Sequence, residues 1–300
     1  MESWKSAKAM FAAVGAVPTF WLTFFFIIPL GIVWLYSFGT NTSLTEIEIS
    51  GTFSNYARAL DPLYLGILWK SILVAAATTV ICIVVGFPVA LAITFATDKW
   101  KPWLLLAIML PFWTNLLIRT YALMAVLRRE GYANQSLGWL HENFGALLPW
   151  IGLPAPGAYE PIELLYNNFA VIFGLVYVHL PFMVLPLYAA LDRLDKSLIE
   201  ASLDLGAGHL RTMLFIVAPL AAPGIISGII ITFVPALGAY LTPDLLGGPD
   251  SQMIANVIER QFKRANDWPF GAALSFILMY ATFIAIAFQA MKSRQAEARQ

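Results

Sequence analysis

An all-α integral membrane protein with six transmembrane helices is the fold class that this 300-residue sequence predicts. Three observations carry that expectation. Hydrophobic residues make up 59% of the chain and charged ones only 12%, where a soluble domain has about a quarter of its residues charged. Six apolar stretches each reach the roughly 20 residues that a helix needs to cross a bilayer core with its backbone polar groups satisfied internally. Lys and Arg in the connecting segments favour one set of alternating loops, the pattern of basic cytoplasmic loops.

The first stretch, 14–38, follows Lys5 and Lys8 in the manner of a secretory signal. It continues without a charge far beyond the ~7–15 residues of a cleavable apolar core, so it is read as a span. The other spans are 71–95, 103–126, 169–191, 214–240 and 270–291, and residues 1–300 are read as one transmembrane domain. Between the third and fourth lies HENFGALLPWIGLPAPGAYEPIELLYNN, where Pro149, Pro154, Pro156 and Pro161 interrupt any helix too often for a span. An exposed, partly structured loop is expected there.

Lys5, Lys8, Lys99, Lys101, Arg193, Lys196, Arg211, Lys292, Arg294 and Arg299 fall on one side of such a bundle. Arg58, Arg128, Arg129, Arg260, Lys263 and Arg264 fall on the other, spread over longer loops. This bias places both termini and the segment 194–212 in the cytoplasm.

Several function classes are excluded. With 18 Lys and Arg against 18 Asp and Glu the chain has no basic excess for nucleic acid. Cys82 is the single cysteine, which rules out an intrachain disulfide and a cysteine metal cluster. His141, His179 and His209 are scattered, and the spans contain no Asp or Glu. That argues against a polytopic membrane enzyme and against an ion-coupled carrier, which places ionisable groups at mid-span in repeated halves. No catalytic residue, metal or cofactor is expected.

One polar segment interrupts the apolar pattern: EASLDLGAGHLRTMLFIVAP, Glu200 to Pro219. Leu194, Leu198, Ala201 and Leu205 recur at helical spacing, with Glu200 and Asp204 four apart on a neighbouring face. Ser197 with Glu200 three residues later has the form of a capping box, and Gly206 to Gly208 supplies residues able to take positive φ and stop the helix. A short amphipathic helix, a sharp turn and a membrane helix are predicted. The stripe can rest on the bundle's own end, or it can fill a groove on a soluble partner.

The same segment resembles the signature of ATP-binding-cassette importer permeases: Glu-Ala-Ala, three residues, Gly, nine residues, Ile-x-Leu-Pro. Glu200, Ala201, Gly206, Ile216 and Pro219 match, while Ser202 stands for the second alanine and Ala218 for the leucine. The resemblance implies the permease fold of type I importers and a coupling role for Glu200, Ala201, Ser202, Asp204 and Gly206, on a helix that docks in a separate ATPase subunit. It also implies a second permease subunit, two ATPase copies, a periplasmic substrate-binding protein and a bacterial inner-membrane location. The chain has no G-x-x-x-x-G-K-[ST] phosphate loop of its own, in keeping with an ATPase on another chain. Pro219, Pro223 and Pro235 are expected to bend the fifth span.

Three further segments, PFWTNLLIRTYALMAVL, GLVYVHLPFMVLPLY and RANDWPFGAALS, resemble the first permease subunit of spermidine/putrescine importers. What this implies is a polyamine or related organic amine as solute, with amino-acid derivatives and opine-like solutes as the alternative. A cationic solute needs carboxylates or aromatic faces. The candidates are Trp113, Tyr121, Tyr177, Tyr188 and Tyr240, with Asp244 just beyond the fifth span. Arg119, a cation inside a span, is expected to bond neighbouring backbone carbonyls or an acid.

Overall fold

The computed structural model describes residues 8–43, 46–145 and 157–297. The described part is overwhelmingly helical, with one two-stranded antiparallel ribbon in which Thr40 faces Glu48 and Asn41 faces Ile47. The chain divides into two compact units, residues 1–65 with 257–300 and residues 66–256. Lys5, Pro149, Pro154, Pro156 and Arg299 lie outside the described residues.

Among the described residues, three helices are long and apolar enough to cross a membrane: Val14–Tyr36, Pro62–Phe95 and Asn168–Leu191. They match the first, second and fourth predicted spans, the second starting nine residues earlier than the apolar run suggested. The final helix runs Trp268–Glu297, with its shorter apolar part at Trp268–Ile284.

The third and fifth predicted spans are not straight helices. The third breaks between Lys101–Trp113 and Leu116–Gly145 with a 93° bend. Pro111 lies in a tight 3-10 turn, Leu110–Trp113, and Thr114 turns extended. Asn115 then restarts the helix, its side-chain oxygen accepting the Leu117 amide at 2.8 Å. The fifth bends by 70° between His209–Leu220 and Ala222–Leu237. Pro219 and Pro223 flank the bend as the sequence predicts, and a π-helical turn at Met213–Val217 precedes it.

In the unit 66–256 the core is the pairing of the Asn168–Leu191 and Ala222–Leu237 helices. Gly224 and Gly228 form a G-x-x-x-G ridge that lets the backbones approach. A Cβ on Gly224 would sit 2.5 Å from the Ala190 Cβ and 2.7 Å from the Pro186 carbonyl oxygen. Met183, Val184, Leu187 and Leu191 are fully or nearly fully buried there, together with Cys82, Ala90 and Ile93 of the second span.

The predicted loop after the third span is partly helical, since Tyr132–Gly145 forms a helix. Residues 157–167 are irregular but anchored by the buried Asn134. Its Nδ2 donates to the Ile162 carbonyl at 2.9 Å, and its Oδ1 accepts from the Ile162 amide and the Tyr159 hydroxyl.

In the other unit, Asp267 organises the start of the last helix. Its Oδ1 accepts the Phe270 amide, and its Oδ2 pairs with the Arg58 guanidinium at 2.6 Å. That guanidinium also lies 3.8 Å above the Phe270 ring. Trp34 of the first span donates from Nε1 to the Tyr280 hydroxyl at 3.1 Å.

Candidate functional site

The segment after the fourth span folds as a short helix, Lys196–Asp204, a turn, and the helix starting at His209. Its cap differs from the predicted one. Asp195, not Ser197, is the N-cap, and its Oδ1 accepts the Ser197 amide at 3.0 Å. The sequence offers both residues. With Asp195 in the cap, Glu200 lies in the second turn, beyond reach of the orphan amides at the helix start. The Asp195 carboxyl is held below its usual range by the Ser197 amide first and the Ser197 hydroxyl second. A depressed carboxyl keeps its bond above its ordinary range, so this cap is complete at neutral pH and is lost as pH falls through the lowered value. Asp195→Ala is expected to fray the first turn and lower transport at equal membrane level, and Asp195→Asn, which caps as well, to retain it; uptake assays on both check this.

The far end follows the prediction closely. Gly206 has φ +84°. Its amide bonds the Leu203 carbonyl at 2.9 Å, and the Ala207 amide bonds the Ser202 carbonyl at 3.1 Å, the paired bonds of a Schellman stop. A Cβ at Gly206 would meet nothing within 4 Å, so what excludes a side chain is backbone conformation and not space. Gly208 is extended, with φ −71°, so only one of the two glycines is used for handedness.

The predicted apolar stripe is divided between two faces. Leu194 packs inward with Ile199 against the buried cluster of the second, fourth and fifth spans. Ser202 is buried and its hydroxyl lies 3.0 Å from that of Thr212, tying the short helix to the root of the fifth span. In the signature Ser202 reads only as a neutral stand-in for alanine, and Thr212 has no place in it; a Ser and a Thr ten residues apart across a glycine turn are the only signal of this bond in the sequence.

Leu198, Ala201 and Leu205 face outward instead, Leu205 with 89% of its surface exposed. Glu200 and Asp204 are exposed beside them, and neither makes an ion pair or side-chain hydrogen bond among the described residues. The outward face thus combines free acids with uncovered leucines. Nearby, Lys101 Nζ bridges Asp192 at 3.1 Å and Asp98 at 3.4 Å, fastening the loop between the second and third spans to the end of the fourth.

The pathway candidates sit on separate elements. Trp113 closes the tight turn at the break of the third span and is 73% exposed. Tyr121 lies on Leu116–Leu127, and Tyr177 and Tyr188 on Asn168–Leu191. Eleven residues apart, the last two share a helix face. Tyr121, Tyr177 and Tyr240 are exposed, whereas Tyr188 is half-buried against the core cluster. Asp244 is exposed in the first turn of Leu241–Leu246. The break in the third span is also held by an edge-to-face contact of Phe112 with Phe182, ring centres 5.3 Å apart, which no sequence pattern singles out.

Arg119 departs from expectation. It is buried, and no carbonyl or acid among the described residues bonds it.

Residues 6–295 match the family described as binding-protein-dependent transport system inner membrane component. The spermidine/putrescine transport system permease protein PotB of Escherichia coli K12 is 41% identical over 259 residues, covering 86% of this chain and 88% of that protein. The protein of the same name from Haemophilus influenzae is 37% identical over 274 residues, covering 91% of each. In fold, the chain is similar to a chain of a bacterial ABC transporter involved in the import of the acidic polysaccharide alginate. The TM-score is 0.72 at 16% identity, covering 98% of this chain and 99% of that one. A bent-helix membrane core, a short helix presented at one end and a family match along nearly its whole length agree: this chain belongs to the inner-membrane permease components of binding-protein-dependent ATP-binding-cassette importers.

Proposed function

We propose that this chain is one of two membrane halves of an importer that moves polyamines, of the spermidine and putrescine class, or related organic amines by ATP-driven alternating access. The observation that carries the assembly is the outward face of the Lys196–Asp204 helix and its end, where Leu198, Ala201 and Leu205 stand uncovered beside the free carboxylates of Glu200 and Asp204. Such a face suits a cleft in a soluble partner. The partner is an ATPase subunit, present in two copies, with Gly206 fixing the angle of the docking loop. Ser202, through Thr212, carries the ATPase's closure to the bent fifth span. A second permease subunit completes the pore, and a periplasmic binding protein delivers the solute. Both termini lie in the cytoplasm, as the basic loops favour.

The solute class is supported by the names of the PotB relatives and by the aromatic residues exposed along the apolar elements. Since the spans hold no carboxylate, Trp113, Tyr121, Tyr177, Tyr188 and Tyr240 are the groups able to hold a cation, with Asp244 at the mouth. A desolvated cation over such a ring gains on the order of 2 kcal/mol, so loss of one contact changes occupancy by about thirtyfold. Leucine replacements, made singly, are expected to divide into a group that reduces spermidine uptake and a group without effect, because the five residues are spread over several elements and only Tyr177 and Tyr188 share a helix face. Asp244→Asn is expected to slow uptake most at low ionic strength, where an entry charge is least screened. Uptake unchanged in all six variants contradicts the assigned path.

A further inference from the structure

Arg119 lies on the Leu116–Leu127 helix with only 9% of its surface exposed, and its Nε is buried without a hydrogen-bond partner. The guanidinium makes no ion pair among the described residues. A guanidinium keeps its charge in proteins, so it cannot escape burial by losing a proton. An uncompensated cation in an apolar segment is costly and calls for an anion. This chain's six apolar stretches contain no Asp or Glu, so no acid of its own spans can supply one.

His179, on the Asn168–Leu191 helix that packs against Leu116–Leu127, is buried as well. Its Nδ1 donates to the Leu175 carbonyl at 2.8 Å, and its Nε2 has no hydrogen-bond partner among the described residues. Two adjacent helices therefore each bury a polar group with bonding capacity that the described residues leave unused.

We propose that Arg119 is a carboxylate site completed from outside the chain, by an Asp or Glu on a membrane helix of the second permease subunit. A carboxylate is the anion that a guanidinium grips in two-point geometry. A solute carboxylate is the other source of the same chemistry, but the solute class proposed above is a polycation, which Arg119 repels. The small exposed remainder of the side chain leaves room for contact from outside the chain and not for solvation. The pair fixes the register of the two permeases at membrane depth, where a mismatched acid or base on either helix forbids assembly.

This inference rests on the reading that the chain works beside a second permease, so the wild-type complex extracted in mild detergent is the control. If no second permease accompanies the wild-type chain, that reading fails and the proposal falls with it. Where it does accompany it, Arg119→Gln is expected to lower its recovery at least about tenfold, and Arg119→Lys, which keeps the charge but not the two-point grip, to lower it less. Arg119→Glu is then combined in turn with each intramembrane acid of the second permease changed to Arg. One pair is expected to restore recovery, and the absence of any restoring pair overturns the proposal even if the single variants insert poorly. Unchanged assembly with at least about a tenfold rise in KM for a carboxylate-bearing amine, measured against spermidine, assigns the anion to the solute and overturns it. Assembly and uptake both unchanged overturn it too.

Discussion

Glu200→Arg is expected to abolish ATP-driven uptake while the chain stays in the membrane at its normal level. Glu200 is exposed, bonds nothing among the described residues and does not cap its helix, so the folded chain loses no contact when it is replaced. What changes is the outward face, where a carboxylate one turn before that of Asp204 becomes a cation. If that face meets cationic groups of an ATPase cleft, reversal turns attraction into repulsion, an effect of several kcal/mol where the charges are desolvated. Gly206 separates docking geometry from charge. Valine at φ +84° carries a backbone penalty of roughly 1–2 kcal/mol and reorients the turn, whereas asparagine tolerates that conformation. Gly206→Val is therefore expected to lose transport and Gly206→Asn to keep much of it. Transport at wild-type rate by Glu200→Arg or Gly206→Val removes the docking assignment.

The second large effect is structural. Gly224→Val is expected to separate the fourth and fifth helices, because even its Cβ would lie 2.7 Å from the Pro186 carbonyl oxygen, a backbone atom that cannot rotate away. Overpacking of this kind typically costs about 1–3 kcal/mol, and the two further methyls raise the demand. At Gly228 the obstacle is the Met183 sulfur, which would lie 2.6 Å from an added Cβ but belongs to a flexible side chain, so Gly228→Ala is expected to be milder. Thermal unfolding in detergent should rank Gly224→Val below Gly228→Ala and both below wild type. Equal midpoints for all three would contradict the close approach of these helices.

The helices are legible in the sequence because uninterrupted apolar length is a strong signal, and the bend in the fifth span because Pro219 and Pro223 bracket it. The sharper break in the third span does not follow from Pro111, since a lone proline permits either a kink or a full restart; Asn115, able to cap a new helix, is the cue for the latter. At the docking segment the glycine stop is legible from Gly206, whose conformation few other residues adopt. The direction of the apolar stripe is not. Leu198 and Ile199 are adjacent and both apolar, so periodicity defines two overlapping stripes, and packing against Val217 and Leu191 selects Ile199 for the inside. The Ser202–Thr212 bond depends on the turn that brings them together, and the lack of a partner for Arg119 among the described residues is a fact of three-dimensional surroundings that no linear pattern carries.

On the proposed function, this chain forms half of an ATP-driven amine path and takes its power through the end of the Lys196–Asp204 helix and the turn at Gly206. The most direct test is uptake of labelled spermidine into proteoliposomes that hold this chain, the second permease and the ATPase, with binding protein on the outside and ATP within. Uptake is expected to require both ATP and binding protein, to be competed by putrescine and to disappear with Glu200→Arg. Uptake that persists in the Glu200→Arg complex, or a complex that transports a neutral or anionic solute and ignores spermidine, would contradict it.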